Sequence, residues 1–69
     1  MKSTIATRIK EIRLENQLSQ AQFGKQLAVS QDTVSLWEKG KATPTTEYVI
    51  AICKIFHISA DFLLGLRDF

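Results

Sequence analysis

The stretch QAQFGKQLAVSQDTVSLWEK, residues 20–39, decides the fold. Its apolar residues fall at Phe23, Leu27, Val29, Val34 and Trp37. Phe23 and Leu27 lie one helical turn apart, and so do Val34 and Trp37. The period breaks at Ala28-Val29-Ser30, and the Ser30 hydroxyl is suited to accept a free backbone N–H at the start of a new helix. The stretch therefore predicts a helix, a three-residue turn and a second helix, both apolar faces turned inward. Asp32, Ser35, Leu36 and Lys39 are left facing outward on the second helix. A short outward helix with polar and basic side chains has the chemistry to read base edges in a DNA major groove.

Working outward toward the N-terminus, Ser19 to Gln22 matches the capping box S-x-x-Q that opens the first of these helices. Gly24 inside that helix costs about 1 kcal/mol against alanine, and a close helix–helix approach would offset it. An earlier helix is predicted from Thr4 to Asn16, because Ile5, Ile9 and Ile12 recur at i, i+4 and i+7. Arg13 lies within about 40° of that stripe at 100° per residue, so its charge points inward and needs a partner. Glu38 stands about 40° from Val34 on the later helix and also points inward. The two form a candidate structural ion pair. Leu14 points away from the core.

Toward the C-terminus, the helix at about Gln31 to Lys39 stops at Gly40, a residue suited to a left-handed helix end. Lys41 to Thr43 form a loop. Pro44 stands at or just before the next helix, where its missing N–H does no harm. That helix is predicted from Thr45 to Phe56, with a stripe at Tyr48, Val49, Ile52, Ile55 and Phe56 widened by Ile50, Ala51 and Cys53. His57 closes it as a cap residue. Ser59 caps a short fifth helix from Ala60 to Leu64, and Gly65 to Phe69 form a tail. No strand pattern or internal repeat occurs. The fold class is all-α, a compact five-helix bundle, with residues 1–69 one domain and 20–39 its central motif.

Sixty-nine residues with 45% hydrophobic content suit one small domain, which buries only about 60% of its unfolded surface. The net charge is +2. Residues 1–44 carry seven Lys/Arg against four Asp/Glu, whereas 45–69 carry two against three. The basic excess thus lies on the half that holds the motif, although a solvated charged surface would look the same. The single cysteine, Cys53, excludes an intramolecular disulfide and fits a reducing, cytoplasmic setting. No apolar run reaches membrane-spanning length, so no membrane partner is expected, and the N-terminal residues are too charged for a secretory core. One His and one Cys cannot build a closed zinc site. With no clustered acid/base groups either, the reading is of no enzyme, catalytic residue, metal or cofactor.

The pattern resembles the lambda-repressor/Cro-like helix-turn-helix family, also called the XRE family. The resemblance rests on apolar Phe23, Leu27, Val29, Val34 and Trp37, small Gly24, and the signature S-Q-x-T-V-S-x-W-E-x-G-x-x-x-P from Ser30 to Pro44. It extends over about residues 5–65. One departure is Ala28, where the family usually has glycine in the turn. A left-handed backbone there would cost alanine about 1 kcal/mol.

The resemblance implies double-stranded DNA as partner. Gln31 is then a base-reading residue, a role its bidentate amide suits at adenine, braced by Gln20, which also meets a phosphate. Asp32 and Leu36 stand at base-contact positions; Leu36 suits a thymine methyl, and Asp32 either accepts from a cytosine amine or only repels the wrong register. Thr33 and Ser35 lie close to the DNA. Lys39, Lys41 and Thr43 are candidate phosphate ligands, with Lys25 a weaker one. The family also has an ion pair at the positions of Arg13 and Glu38. The expected function is a sequence-specific transcriptional regulator of the repressor kind, binding a two-fold operator through residues 31–39. The alternative is a protein-interaction module such as the antitoxin of a toxin–antitoxin pair. Whether the chain is a complete small regulator or one domain of a longer protein stays open.

The C-terminal third is more apolar than one small core can absorb. Such a surplus marks a contact surface, here read as the interface of a homodimer built from Ile55, Phe62, Leu66 and Phe69, with Phe62 and Leu66 at its centre. In the rival arrangement, Phe62 and Phe69 fold back to close the core of a monomer.

Overall fold

The computed structural model describes residues 4–68, so Phe69 lies outside them. Five helices follow one another: α1 Ile5–Glu15, α2 Gln20–Leu27, α3 Gln31–Glu38, α4 Thr46–Phe56 and α5 Ala60–Leu63. No strand occurs among the described residues. The starts are set by capping hydroxyls. Thr4, Ser19, Ser30 and Ser59 accept from the backbone N–H groups of Thr7, Gln22, Thr33 and Phe62, satisfying donors that the first helical turn leaves free. The capping box at α2 is complete, since the Gln22 side chain accepts from the Ser19 N–H at 2.8 Å. Thr45 precedes α4 without a side-chain cap. Pro44 is buried one residue further out, so it precedes the helix and does not occupy its first turn.

All five helices end alike. Gln17, Ala28, Gly40, His57 and Gly65 take a positive φ. In each case the next N–H reaches back to a carbonyl five residues earlier: Leu18 to Arg13, Val29 to Gly24, Lys41 to Leu36, Ile58 to Cys53 and Leu66 to Asp61. This loop satisfies carbonyls that the last turn would otherwise leave open. Glycine fills the left-handed position at α3 and α5 only. Ala28 does adopt the left-handed backbone, at φ 59, and so carries the cost that its departure from the family pattern implies.

The core is one cluster of Ile9, Ile12, Phe23, Leu27, Val34, Trp37, Ile52 and Leu63, each 6% exposed or less. The Phe23 ring stacks on Phe56 at 5.2 Å, and Trp37 meets Tyr48 at 5.5 Å. Helix α4 divides its wide stripe. Ala51 and Cys53 pack against the core, whereas Ile50 and Ile55 stay exposed. The helix–turn–helix is closed tightly at Gly24. A Cβ built there would lie 2.6 Å from the Val29 carbonyl oxygen and 3.3 Å from Val34 Cγ2. Glycine is what lets α2 approach the turn, so the propensity lost inside the helix is spent on closeness.

Candidate nucleic-acid interface

Helix α3 is anchored from behind and open in front. Val34 is fully buried and Trp37 nearly so. Gln31, Asp32, Leu36 and Lys39 are exposed, and Ser35 is half-buried. Leu36 leaves 43% of its surface in solvent. Asp32 lies in the first turn, where a carboxylate also complements the positive end of the helix. The Thr33 hydroxyl lies 3.0 Å from Ser30 Oγ and its N–H is held by the same oxygen, so Thr33 serves the cap as well as facing outward.

The loop after α3 folds back on it. The N–H groups of Lys41 and Ala42 donate to the Leu36 carbonyl at 3.0 and 3.3 Å, and Gly40 at φ 73 makes that reversal. Lys39, Lys41 and Thr43 are all exposed. The backbone thus ties the Lys41 amide to the carbonyl of Leu36, on the outward face of α3. Lys25 is exposed on α2.

Three helices converge on Glu38. Arg13 on α1 donates through Nε to Oε2 at 2.7 Å and through Nη2 to Oε1 at 3.0 Å. Gln20 at the start of α2 donates through Nε2 to Oε1 at 3.3 Å. The remaining Arg13 nitrogen, Nη1, donates to the Leu18 carbonyl at 3.0 Å. The bond to Glu38 holds the Arg13 guanidinium above its ordinary pKa, against the opposing effect of burial, with the nearby carboxylate charge adding to the rise. The angular reading of both residues is met by this pair. The expected brace of Gln20 on Gln31 is not: the Gln20 amide is turned to Glu38, because a buried carboxylate is the stronger acceptor.

Sequence reasoning missed Arg8. It is buried, and its guanidinium lies 4.2 Å from the centre of the Phe62 ring. The signal was present: Arg8 lies about 40° from Ile12 around the helix, the same offset that singled out Arg13 from Ile9. Its consequence for the expected dimer face is direct. Phe62 is half-buried against the core beneath Arg8, and so is not the free central knob that the sequence led us to expect. Leu66 is 72% exposed, and Ile55, Leu64 and Ile50 also keep much of their surface in solvent. Ile50 and Leu64 border an open apolar groove of about 370 Å³ that also touches Ile5, Pro44, Val49 and Thr43.

Other chemistry has little footing among the described residues. No three of His, Cys, Asp and Glu gather closely enough to hold a metal. Burial pushes the Cys53 thiol up from its usual pKa, which keeps the reactive thiolate scarce at neutral pH. His57 occupies the left-handed position closing α4. No helix is long and apolar enough to cross a membrane.

Comparison with known proteins gives a consistent picture. A family model described as helix-turn-helix matches residues 9–63. The chain is 37% identical over 58 residues to the HTH-type transcriptional activator BcrR of Enterococcus faecalis, covering 84% of this chain and 28% of that one. It is 35% identical over 57 residues to Repressor protein C2 of Salmonella phage P22, covering 83% and 26%. The chain thus spans about a quarter of the length of these two relatives. A crystal structure of the P22 c2 repressor protein in complex with a synthetic operator superposes with a TM-score of 0.85 at 31% identity, covering 94% of this chain and 98% of that one. With the five-helix order, the tight turn at Gly24 and the anchored outward helix α3, these matches identify the chain as a member of the lambda-repressor/Cro-like helix-turn-helix family.

Proposed function

We propose that this chain is the DNA-binding part of a transcriptional regulator, entering the major groove of a two-fold operator with α3. The observation that carries this reading is the division of α3. Its inward side is fixed by Val34, Trp37 and Glu38, so its outward side is presented on a rigid support. Rigid presentation is what base readout needs, because a misaimed bidentate contact loses its discrimination.

In this reading Gln31, Asp32 and Leu36 meet base edges, while Thr33 and Ser35 lie near bases and phosphates. Lys39, Lys41 and Thr43 hold the DNA backbone. Gln20 acts first through Glu38 and second on a phosphate. The likeness to Repressor protein C2 of Salmonella phage P22 supports repression as the outcome, and the free thiol of Cys53 fits a cytoplasmic setting. Two copies related by a two-fold axis would set their α3 helices about 34 Å apart, one DNA turn. The exposed Leu66, Ile55 and Leu64 support a homodimer through this C-terminal surface.

Selection of bound sequences from a random duplex pool tests the whole reading. An inverted repeat with half-sites about ten base pairs apart is the expected result. Recovery of no enriched sequence, together with retention on heparin that does not weaken with salt, would remove DNA recognition as the function.

A further inference from the structure

Arg8 is the buried charge that the DNA-facing side of the molecule does not use. It is 7% exposed. Its Nη1 donates to Glu11 Oε2 at 3.0 Å, its Nη2 to the Arg67 carbonyl at 3.4 Å, and the Asp68 carboxylate lies 3.6 Å away. Its Nε is buried with no hydrogen-bond partner. A methionine would fill this space without stranding a donor, so stability alone does not account for an arginine here.

What the arginine reaches is the chain after α5. That helix has four residues, too few to hold itself. The segment beyond it is pinned from two sides. The Asp61 carbonyl accepts from Leu66 and Arg67 at 2.8 and 3.3 Å, and Asp61 Oδ2 pairs with Arg67 Nε at 3.3 Å. From α1, Arg8 covers the Phe62 ring and holds the Arg67 carbonyl. Between these anchors stands Leu66, at 72% the most exposed large apolar residue among the described residues.

We propose that Arg8 is the positioning residue of a self-association surface, holding the turn at residues 64–68 so that Leu66 is presented, already ordered, to a second copy of this chain. The proposal rests on the homodimer reading above. Two features favour a second copy as the occupant. The exposed side chain is apolar, and the charges around it pair within the chain: Arg8 with Glu11 and Asp68, Arg67 with Asp61. Near a two-fold axis like meets like, so internally paired charges let two identical faces approach without repulsion. Ordering the turn beforehand removes an entropic cost from association.

The test uses the full chain as wild type, Arg8→Met, Arg8→Lys and Leu66→Glu. Readouts are sedimentation equilibrium, circular dichroism and amide exchange. Wild type is expected to dimerise and Leu66→Glu to be a folded monomer. Arg8→Met should stay folded but dimerise at least about tenfold more weakly. Its Leu66 N–H should exchange faster while that of Ile9 is unchanged. Arg8→Lys keeps the charge over the ring but loses the forked donors, and should weaken the dimer to a lesser degree. Arg8→Met as tight as wild type, with Leu66→Glu monomeric, overturns the role of Arg8 and leaves the dimer standing. If Arg8→Met fails to fold, Arg8→Lys decides by the same comparison. A wild type that stays monomeric at high concentration overturns the dimer reading, and this proposal with it.

Discussion

Arg13 and Glu38, 25 residues apart in sequence, meet through two parallel hydrogen bonds of 2.7 and 3.0 Å. Their side chains are only 12% and 5% exposed, so neither charge can turn to water if the other is removed. A buried carboxylate left without its guanidinium costs about 3–5 kcal/mol, far more than the attraction of an exposed pair. We expect Arg13→Ala and Glu38→Ala each to lower the melting temperature sharply, and the double variant to cost clearly less than the sum. Strictly additive losses would sink the pairing. Because the folded pKa of Arg13 is raised, its contribution is present throughout the ordinary pH range and fades only in strong alkali.

At Gly24 the contact is with backbone, which has no rotamer to change. An alanine methyl 2.6 Å from the Val29 oxygen must push α2 away from the turn. Alanine regains about 1 kcal/mol of helix propensity, but the overpacking costs roughly 1–3 kcal/mol or more. Gly24→Ala should therefore be destabilised in chemical denaturation and should weaken DNA binding through a displaced α3. A variant as stable as wild type would show that the turn yields freely.

Ala28 offers the opposite sign. Its backbone is left-handed at φ 59, a conformation that costs a residue with a Cβ about 1 kcal/mol. Glycine also loosens the unfolded chain, at a cost of about 0.4–1 kcal/mol, so the net gain from Ala28→Gly should be at most about 0.6 kcal/mol, seen as a rise of no more than some 2–5 °C in Tm. A fall in Tm would mean that the Ala28 methyl makes contacts worth more than its strain.

Base readout and backbone attraction separate by their salt dependence. Lys41→Ala should weaken binding to all sequences alike, and should make the plot of log K against log salt shallower by about 0.9 for each lysine lost, or about 1.8 for a two-fold complex. Gln31→Ala should instead cost about 1–3 kcal/mol on the selected operator, relax one base position per half-site and leave random DNA nearly unaffected. Equal losses on both DNAs would reassign Gln31 to the backbone.

The helices and the inward charges were legible because both follow from angle around a helix. Ile5, Ile9 and Ile12 give the stripe, and Arg13 and Glu38 lie just beside their stripes. Three helix starts follow from hydroxyl caps at Ser19, Ser30 and Ser59, whereas the stripe alone places Thr4, which caps α1, inside the helix. The end positions were harder where glycine is absent. Gln17 adopts the same left-handed backbone as Gly40, yet its side chain carries no local sign of it, whereas His57 is met as the cap residue the sequence placed there. The candidate site was legible as a face but not as a network. Whether Gln20 turns to Gln31 or to Glu38 depends on three helices meeting in space, and no spacing in the sequence encodes that meeting. Phe62 was read as surplus because counting apolar residues cannot see Arg8 lying over its ring.

Helix α3 and its C-cap Lys39 keep two sets of residues that share no position: Val34, Trp37 and Glu38 facing the scaffold, and Gln31, Asp32, Leu36 and Lys39 facing out. Substitutions in the outward set therefore change few contacts inside the molecule. Under the proposed base readout, a lineage carrying this domain can drift from one target sequence to another through Gln31, Asp32 and Leu36 while selection on folding acts elsewhere. A related regulator's outward residues, transplanted onto this framework, would carry their own address with them.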